Sequence, residues 1–261
     1  MKYALITGPT SGIGYYLAHE FAKQGIPLVL VARDVLKLTS VADEFRGTYN
    51  LDVREIVTDL SHASAAQFVH VEVEKCAIEI GYLVNNAGIG DFAYFKDADG
   101  YKLASMMILN MHTVTLLTKL FLPHVLSNEG KILNVASTAA FQPGPTMAVY
   151  YATKSYVLSF SEAIAEELKT TGVTVTALCP GPTASEFQKT AHMESSALVK
   201  SKKLPTAEEV AKFGFKAMMN GKRIAVHGFT NKFFIFFVRF LPRSVVTVFV
   251  HKIQGKPEIT K

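Results

Sequence analysis

The sequence predicts an α/β chain: a doubly wound parallel sheet of about seven strands, helices on both faces, and an apolar, basic C-terminal extension. Three observations carry this. Short apolar runs recur along the chain, longer amphipathic segments separate them, and the first run empties into a glycine-rich turn that opens a helix. The runs fall at 3–7, 27–32, 54–58, 82–85, 131–137, 173–179 and 223–228. Their continuous aliphatic and β-branched character suits strands buried on both faces. The segments between them, at 13–24, 36–45, 63–80, 101–126 and 155–169, read as helices. Strand alternating with helix implies parallel neighbours joined by right-handed crossovers. No repeat, low-complexity tract or linker interrupts the pattern, so residues 1–261 read as one domain with 230–261 as its extension.

Composition narrows the function classes. With 49% hydrophobic and 19% charged residues, the chain has material for a large core and no signature of disorder. The net charge of +5 is spread along the sequence without an aromatic-interleaved basic motif, so nucleic acid is not an expected partner. Cys76 and Cys179 lie far apart with no Cys/His spacing around them, which argues against zinc or a disulfide framework and for a reducing, cytoplasmic setting. The N-terminus, MKYALITG, leaves no room for a removable leader before the first turn.

In a wound sheet, ligands bind at the carboxyl ends of the strands, and the informative residues fall there. The first strand runs into TGPTSGIG. Gly8 permits the tight turn, Gly12 lets backbone approach a pyrophosphate, and Gly14 allows close packing, while free N–H groups at the helix start receive the anion. Three glycines at these offsets arise by accident about 0.07 times in a chain with this glycine content, and the strand-turn-helix context sharpens the signal. The second strand ends VLVARD: Ala32 stands where an acid would accept from an NAD ribose, and Arg33 follows, a guanidinium suited to the 2′-phosphate of NADP. Asp34 either opposes that phosphate or caps the next helix.

The segment VYYATKSY sets two tyrosines, Tyr150 and Tyr151, four and three residues before Lys154. Both spacings share a helical face, and one Tyr-to-Lys pair of this kind is expected about 0.8 times by chance, so the pair alone does not choose. Ser137, ending the fifth run, would emerge at the same edge as the glycine turn, and Asn110 is a polar residue inside an apolar helical segment.

Taken together these residues resemble the short-chain dehydrogenase/reductase family in its small, single-domain, NADP(H)-type form, from the N-terminus to about His227. TGPTSGIG resembles the family's T-G-x-x-x-G-x-G turn, with Pro9 and Thr10 replacing the more usual Ala-Ser and Ser11 kept. Asp59-Leu60 resembles its adenine-contacting pair and NNAG its mid-sheet motif. Asn110, Ser137, Tyr150 and Lys154 match its catalytic tetrad, and PGPTAS the segment beside the nicotinamide, with Ser185 in place of the common Thr. The resemblance implies a Rossmann-type fold and selects Tyr150, leaving Tyr151 to packing. It implies cofactor contacts from Gly8, Thr10, Ser11, Gly12, Ile13, Gly14, Arg33, Asp59, Leu60, Asn86, Ala87, Gly88, Tyr150, Lys154, Pro180, Gly181, Thr183 and Ser185. The cofactor is then NADP(H), with no metal.

The implied reaction interconverts a carbonyl and an alcohol. Hydride transfer builds negative charge on oxygen, so a proton donor and a hydrogen-bond partner must already be in place. Tyr150 would be the donor, Lys154 would lower the phenol's pKa and hold the nicotinamide ribose, Ser137 would orient the substrate oxygen, and Asn110 would hold a water relaying protons to solvent. A hydrophobic substrate is preferred, with Phe92, Phe141, Met147, Phe187, His192 and Met193 as candidate lining, and the segment 183–206 as a lid. A narrower version is a 3-oxoacyl-thioester reductase acting on an acyl carrier or CoA ester. The alternative from another class is an NADPH-binding regulator without turnover.

The tail NKFFIFFVRFLPRSVVTVFVHKIQGK is interrupted by Arg239, Pro242 and Arg243, so it should not span a bilayer. Packing on a neighbouring subunit of a homodimer or homotetramer, or over the active site, is the preferred reading. Peripheral contact with an anionic membrane is the alternative.

Overall fold

A computed structural model of the chain describes residues 2–193, 196 and 204–255. Seven parallel strands form one sheet: β1 (Lys2–Thr7), β2 (Leu28–Ala32), β3 (Val53–Val57), β4 (Glu79–Asn85), β5 (Lys131–Val135), β6 (Thr174–Cys179) and β7 (Ile224–Val226). Their spatial order is β3-β2-β1-β4-β5-β6-β7, so the chain reverses direction across the sheet between β1 and β4. That switch point leaves a crevice at the strands' carboxyl ends.

Side-chain alternation builds the two cores. Ala4 and Ile6 of β1 face α1 (Gly12–Ala22) and α2 (Val35–Tyr49), meeting Leu17, Phe21, Leu38 and Phe45. Leu5 points the other way, into a cluster with Val69 and Val73 of α3 (Ala65–Lys75) and Leu117, Phe121 and Val125 of α5 (Val114–Ser127). Every one of these side chains is buried, which is why the strands read as unbroken apolar runs.

Helix boundaries shift where local chemistry intervenes. Asp34 caps α2, its Oδ1 accepting from the Lys37 N–H at 3.1 Å, and Asn50 ends that helix in the left-handed region. The segment 63–80 divides, because Ala77 takes a positive φ of 50° and β4 begins at Glu79. The segment 101–126 resolves into α4 (Gly100–Met107), a π-helical turn at Ile108–Thr113 and α5. This combined helix, Gly100–Ser127, is long and apolar enough to cross a membrane by length and composition, yet α5 presses its apolar face against β4 and β5. Helix α6 (Ala148–Glu167) starts before the predicted 155 and so contains both tyrosines.

Beyond β6 come α7 (Phe187–Thr190) and α8 (Ala207–Met219), the latter opened by a capping box in which Thr206 and Glu209 exchange hydrogen bonds. Helices α9 (Phe229–Val238) and α10 (Arg243–Gln254) follow β7, and α10 returns to pack near α6.

Candidate active site

The glycine turn is fastened to the end of β4 by polar groups. Thr7 Oγ1 accepts the N–H groups of Asn86 and Ala87, each at 3.0 Å, and Asn86 Nδ2 donates to the carbonyls of Thr7 and Gly8 at 2.9 and 3.0 Å. Gly8 and Gly12 hold φ of +66° and +58°, a conformation side-chain-bearing residues avoid. A Cβ on Gly14 would fall 2.2 Å from the Gly8 carbonyl oxygen and 2.3 Å from Asn86 Nδ2. Gly14 is therefore required by the turn itself and by Asn86, rather than by helix-on-strand packing as expected. Ser11 stands at the N-cap of α1 without a side-chain cap bond, so the first backbone N–H groups of the helix, those of Gly12, Ile13 and Gly14, have neither an intrahelical partner nor that cap.

Arg33 lies just past β2 with its side chain 70% exposed, 3.6 Å from Asp59 Oδ2. Asp59 is fixed from behind: its Oδ1 accepts the Ser61 N–H at 2.9 Å and the Ser61 hydroxyl at 2.7 Å. Partial burial works to raise its pKa, but the Ser61 donors and the Arg33 charge prevail and hold it below the ordinary carboxylate value. Leu60 beside it is buried, and its carbonyl accepts from Thr113 Oγ1 at 2.8 Å.

The four tetrad-type residues converge at the ends of β4, β5 and β6. Ser137, at the N-cap of a short 3-10 turn, accepts the Ala139 N–H at 3.1 Å and donates to the Pro180 carbonyl at 3.3 Å, tying β5 to β6. Lys154 is 5% exposed and donates to the Val135 carbonyl at 2.8 Å, with Nζ 5.8 Å from the Tyr150 ring centroid. A Cβ on Gly88 would lie 3.2 Å from Asn110 Oδ1 and 3.4 Å from Lys154 Nζ, so the β4 end, the π-helical turn and α6 meet at that glycine. Asn110 is buried; its Oδ1 accepts the Ile89 N–H at 3.0 Å, and Nδ2 donates to the Ile89 carbonyl at 2.9 Å and to Thr153 Oγ1 at 3.1 Å. The segment after β6 is also bonded: Thr183 Oγ1 donates to the Gly181 carbonyl at 2.9 Å, and Ser185 Oγ to the Thr183 carbonyl at 3.3 Å.

The titration chemistry departs from expectation. Burial pushes Tyr150 up to about 12, outweighing the hydrogen bond with Ser137, which works to lower it. Burial also pulls Lys154 down to about 8, which places its charge within reach of physiological pH. Cys179, a free thiol behind the site, is pushed up to about 12 by burial and is inert there.

The adjacent tyrosines have separate surroundings. Tyr150 faces Lys154 and Phe187, the latter with a centroid separation of 5.5 Å. Tyr151 is buried against Gly144, where a Cβ would sit 2.3 Å from the ring, and its hydroxyl accepts from Gln254 Nε2 of α10 at 2.7 Å. Of the candidate lining, Phe92, Met147, Phe187 and Met193 share one apolar cluster with Tyr150, whereas Phe141 packs in another and His192 is exposed. Val246 and Val250 of α10 complete that cluster, so the inner face of the tail roofs the site. Residues 194, 195 and 197–203 of the expected lid lie outside the described residues.

Sequence reasoning passed over Thr7, Thr153 and Gln254. Thr7 was legible as the hydroxyl closing the first strand, while Gln254 could be found only once α10 folded back. Among the described residues, one cluster of metal-type ligands, His70, Glu74 and His124, lies on α3 and α5 near Glu79 at the start of β4, away from the strands' carboxyl ends.

A wound parallel sheet with a glycine turn at its switch point, and Ser137, Tyr150 and Lys154 gathered beside it, defines a Rossmann-type α/β protein built around a dinucleotide crevice. Within that class the chain belongs to the short-chain dehydrogenases, an oxidoreductase family whose model matches residues 2–195. It is 32% identical over 196 residues to a very-long-chain 3-oxoacyl-CoA reductase of Danio rerio, a match covering 72% of this chain and 60% of that one. The corresponding protein of Homo sapiens is 33% identical over 193 residues, covering 72% and 61%. The chain thus matches about 60% of the length of these curated relatives. A short-chain dehydrogenase from Sphingobium yanoikuyae, solved in complex with NADPH, superimposes with a TM-score of 0.81 at 26% identity over 98% of both chains.

Proposed function

We propose that this protein is an NADP(H)-dependent oxidoreductase that interconverts a carbonyl and an alcohol on a hydrophobic substrate, with Tyr150 as general acid and base. The observation that carries the reading is the convergence of Ser137, Tyr150 and Lys154 on one crevice with the glycine turn beside it. The residues fit the cofactor: two positive-φ glycines and the start of α1 offer a phosphate cradle, Ala32 stands where an acid would mark an NAD enzyme, and an exposed Arg33 follows it. The NADPH complex of the Sphingobium protein supports the same choice.

The hydride comes from the nicotinamide of bound NADPH. Ser137 aligns the substrate oxygen, and Tyr150 delivers its proton to that oxygen as charge develops. In the oxidative direction Tyr150 takes the proton back. Lys154 supplies the positive charge that favours a transient phenolate. Asn110 acts as a positioning residue: its amide is engaged by Ile89 and Thr153, and it holds the Gly88–Ile89 backbone against Lys154.

The relatives' names and the apolar wall of Phe92, Met147, Phe187 and Met193 favour the narrower reading of a 3-oxoacyl-thioester reductase. The regulator reading has less support, because a module that only binds has no need of a phenol, Tyr150, gathered with Ser137 and Lys154 at the crevice. One cytoplasmic domain, assembled as a homodimer or homotetramer and acting on small molecules without a nucleic-acid partner, completes the proposal.

NADPH oxidation across ketones, aldehydes and 3-oxoacyl thioesters tests it. Tyr150→Phe should lose about 10²- to 10⁴-fold in kcat, the usual worth of a positioned acid, while Tyr151→Phe retains turnover. Reduction by the wild type should fall as pH rises through about 8, where Lys154 loses its charge, because Tyr150 stays protonated until about 12. The same depressed Lys154 value means the unfolded chain binds more protons between about 8 and 10.5, so this group's contribution to stability rises with pH across that window. NADPH binding without turnover of any substrate would overturn the enzyme reading.

A further inference from the structure

We propose that the outer faces of α9 and α10 form a docking surface for an anionic lipid bilayer. Phe229, Phe233, Phe236, Phe237 and Phe240 recur at helical spacing along one side of α9 and its end, and all are exposed. Helix α10 is apolar on two opposite sides. Its stripe of Val246, Val250 and Gln254 is buried against the site, while Val245, Val248 and Phe249 face outward. A helix with apolar residues on two sides requires cover on both, and this chain covers one.

Charge identifies the occupant. Lys232, Arg239, Arg243 and Lys252 are exposed among these side chains, and residues 229–255 contain no Asp or Glu. A second copy docked through the same patch about a two-fold axis would bring these cations near their own equivalents, with no carboxylate within residues 229–255 of either copy to neutralise them. Anionic headgroups neutralise them directly while the phenylalanines enter the acyl boundary. Helix α9 has 10 residues, half the length of a span, so it lies in the plane of the membrane.

The inner side of α10 packs in the cluster that contains Tyr150 and Phe187, so a docked bilayer sits one helix away from the crevice. That position suits a substrate dissolved in the membrane, a consequence that rests on the carbonyl-reductase reading; the docking itself does not. Truncating the tail is not a clean test, because cutting after Thr230 would strip Val246, Val250 and Gln254 from Tyr151.

The test is flotation of the full chain with vesicles of phosphatidylcholine alone or mixed with phosphatidylglycerol, at low and high salt. The wild type should partition into the mixed vesicles at least about tenfold more than into neutral ones, and salt should weaken this. The outward-facing triple variant Phe233→Ser/Phe237→Ser/Phe249→Ser should lose that partitioning while keeping the wild-type circular dichroism spectrum. If this variant fails to fold, Lys232→Gln/Arg239→Gln/Lys252→Gln serves in its place and should lose the preference for anionic vesicles. Absence of wild-type flotation, flotation undiminished in a folded variant, or a phenylalanine-dependent dimer that ignores vesicles would each overturn the proposal. Flotation needs no turnover, so its failure is separable from failure of the enzymatic reading.

Discussion

The crevice has two borders that are held by different physics: the glycine turn on one side and the α10 roof on the other. At the turn, backbone meets backbone. Thr7 and Asn86 satisfy five main-chain groups between them, and Gly14 lies so near the Gly8 carbonyl that one methyl group has no room. At the roof, side chains meet across more than a hundred positions: Gln254 bonds Tyr151 and Thr146 at separations of 103 and 108 residues, within a cluster of Val, Met and Phe. The turn specifies residue types at single positions. The roof specifies only volume, polarity and the return of the chain, so many sequences could build it.

The severest way to break the contrast is Gly14→Ala. Its new Cβ would overlap the Gly8 carbonyl and Asn86 Nδ2, and neither backbone nor the doubly bonded amide can withdraw without releasing the β4 end. Overpacking of this kind costs about 1–3 kcal/mol or more, and here the displaced group is the turn itself. NADPH affinity, followed by fluorescence titration, should fall below detection even where the variant still melts cooperatively. An α10 substitution such as Val248→Ala, on the outward side, should leave that affinity unchanged.

A smaller effect is expected at the roof. Gln254→Met keeps the side-chain length but leaves the buried hydroxyls of Tyr151 and Thr146 without this partner. An unpaired buried polar group costs about 1–3 kcal/mol, so thermal unfolding should shift down. The sharper readout is local: hydrogen exchange across 243–254 should rise while exchange across β1 and α1 stays as in the wild type.

The same contrast explains what was legible in the sequence. Residues whose identity follows from close approach, such as Gly8 and Gly12, stand out through type and spacing, Ser137 and Lys154 only through the family resemblance, and the parallel sheet follows from its unbroken apolar runs. The helix boundary before Tyr150 was not visible, because Pro143, Gly144 and Pro145 obscure a start that depends on Met147 packing. The direction of the Tyr150 shift was missed for a related reason: a lysine four residues away suggests a lowered phenol, whereas burial, which sequence spacing does not encode, dominates. The tail's doubled apolar faces looked like a single hydrophobic segment until α10 was seen to bury one side and present the other.

The mildest prediction concerns Arg33, which belongs to the turn's side of the crevice but behaves unlike the rest of it. Its side chain is 70% exposed, and its contact with Asp59 is a 3.6 Å surface pair, worth little to the fold. Arg33→Ser should therefore change stability by less than about 0.5 kcal/mol. If the guanidinium receives the 2′-phosphate, the same change should raise the KM for NADPH by about tenfold to a hundredfold, the worth of a lost hydrogen bond to a charged group, while the KM for NADH stays or improves. Asp59 does not depend on Arg33 for its place, since the Ser61 N–H and hydroxyl already hold it. A loss confined to NADPH would thus assign the discrimination to Arg33 alone. Equal losses for both cofactors would instead show that Arg33 orders the β2 end, making it part of the scaffold that Gly14 represents.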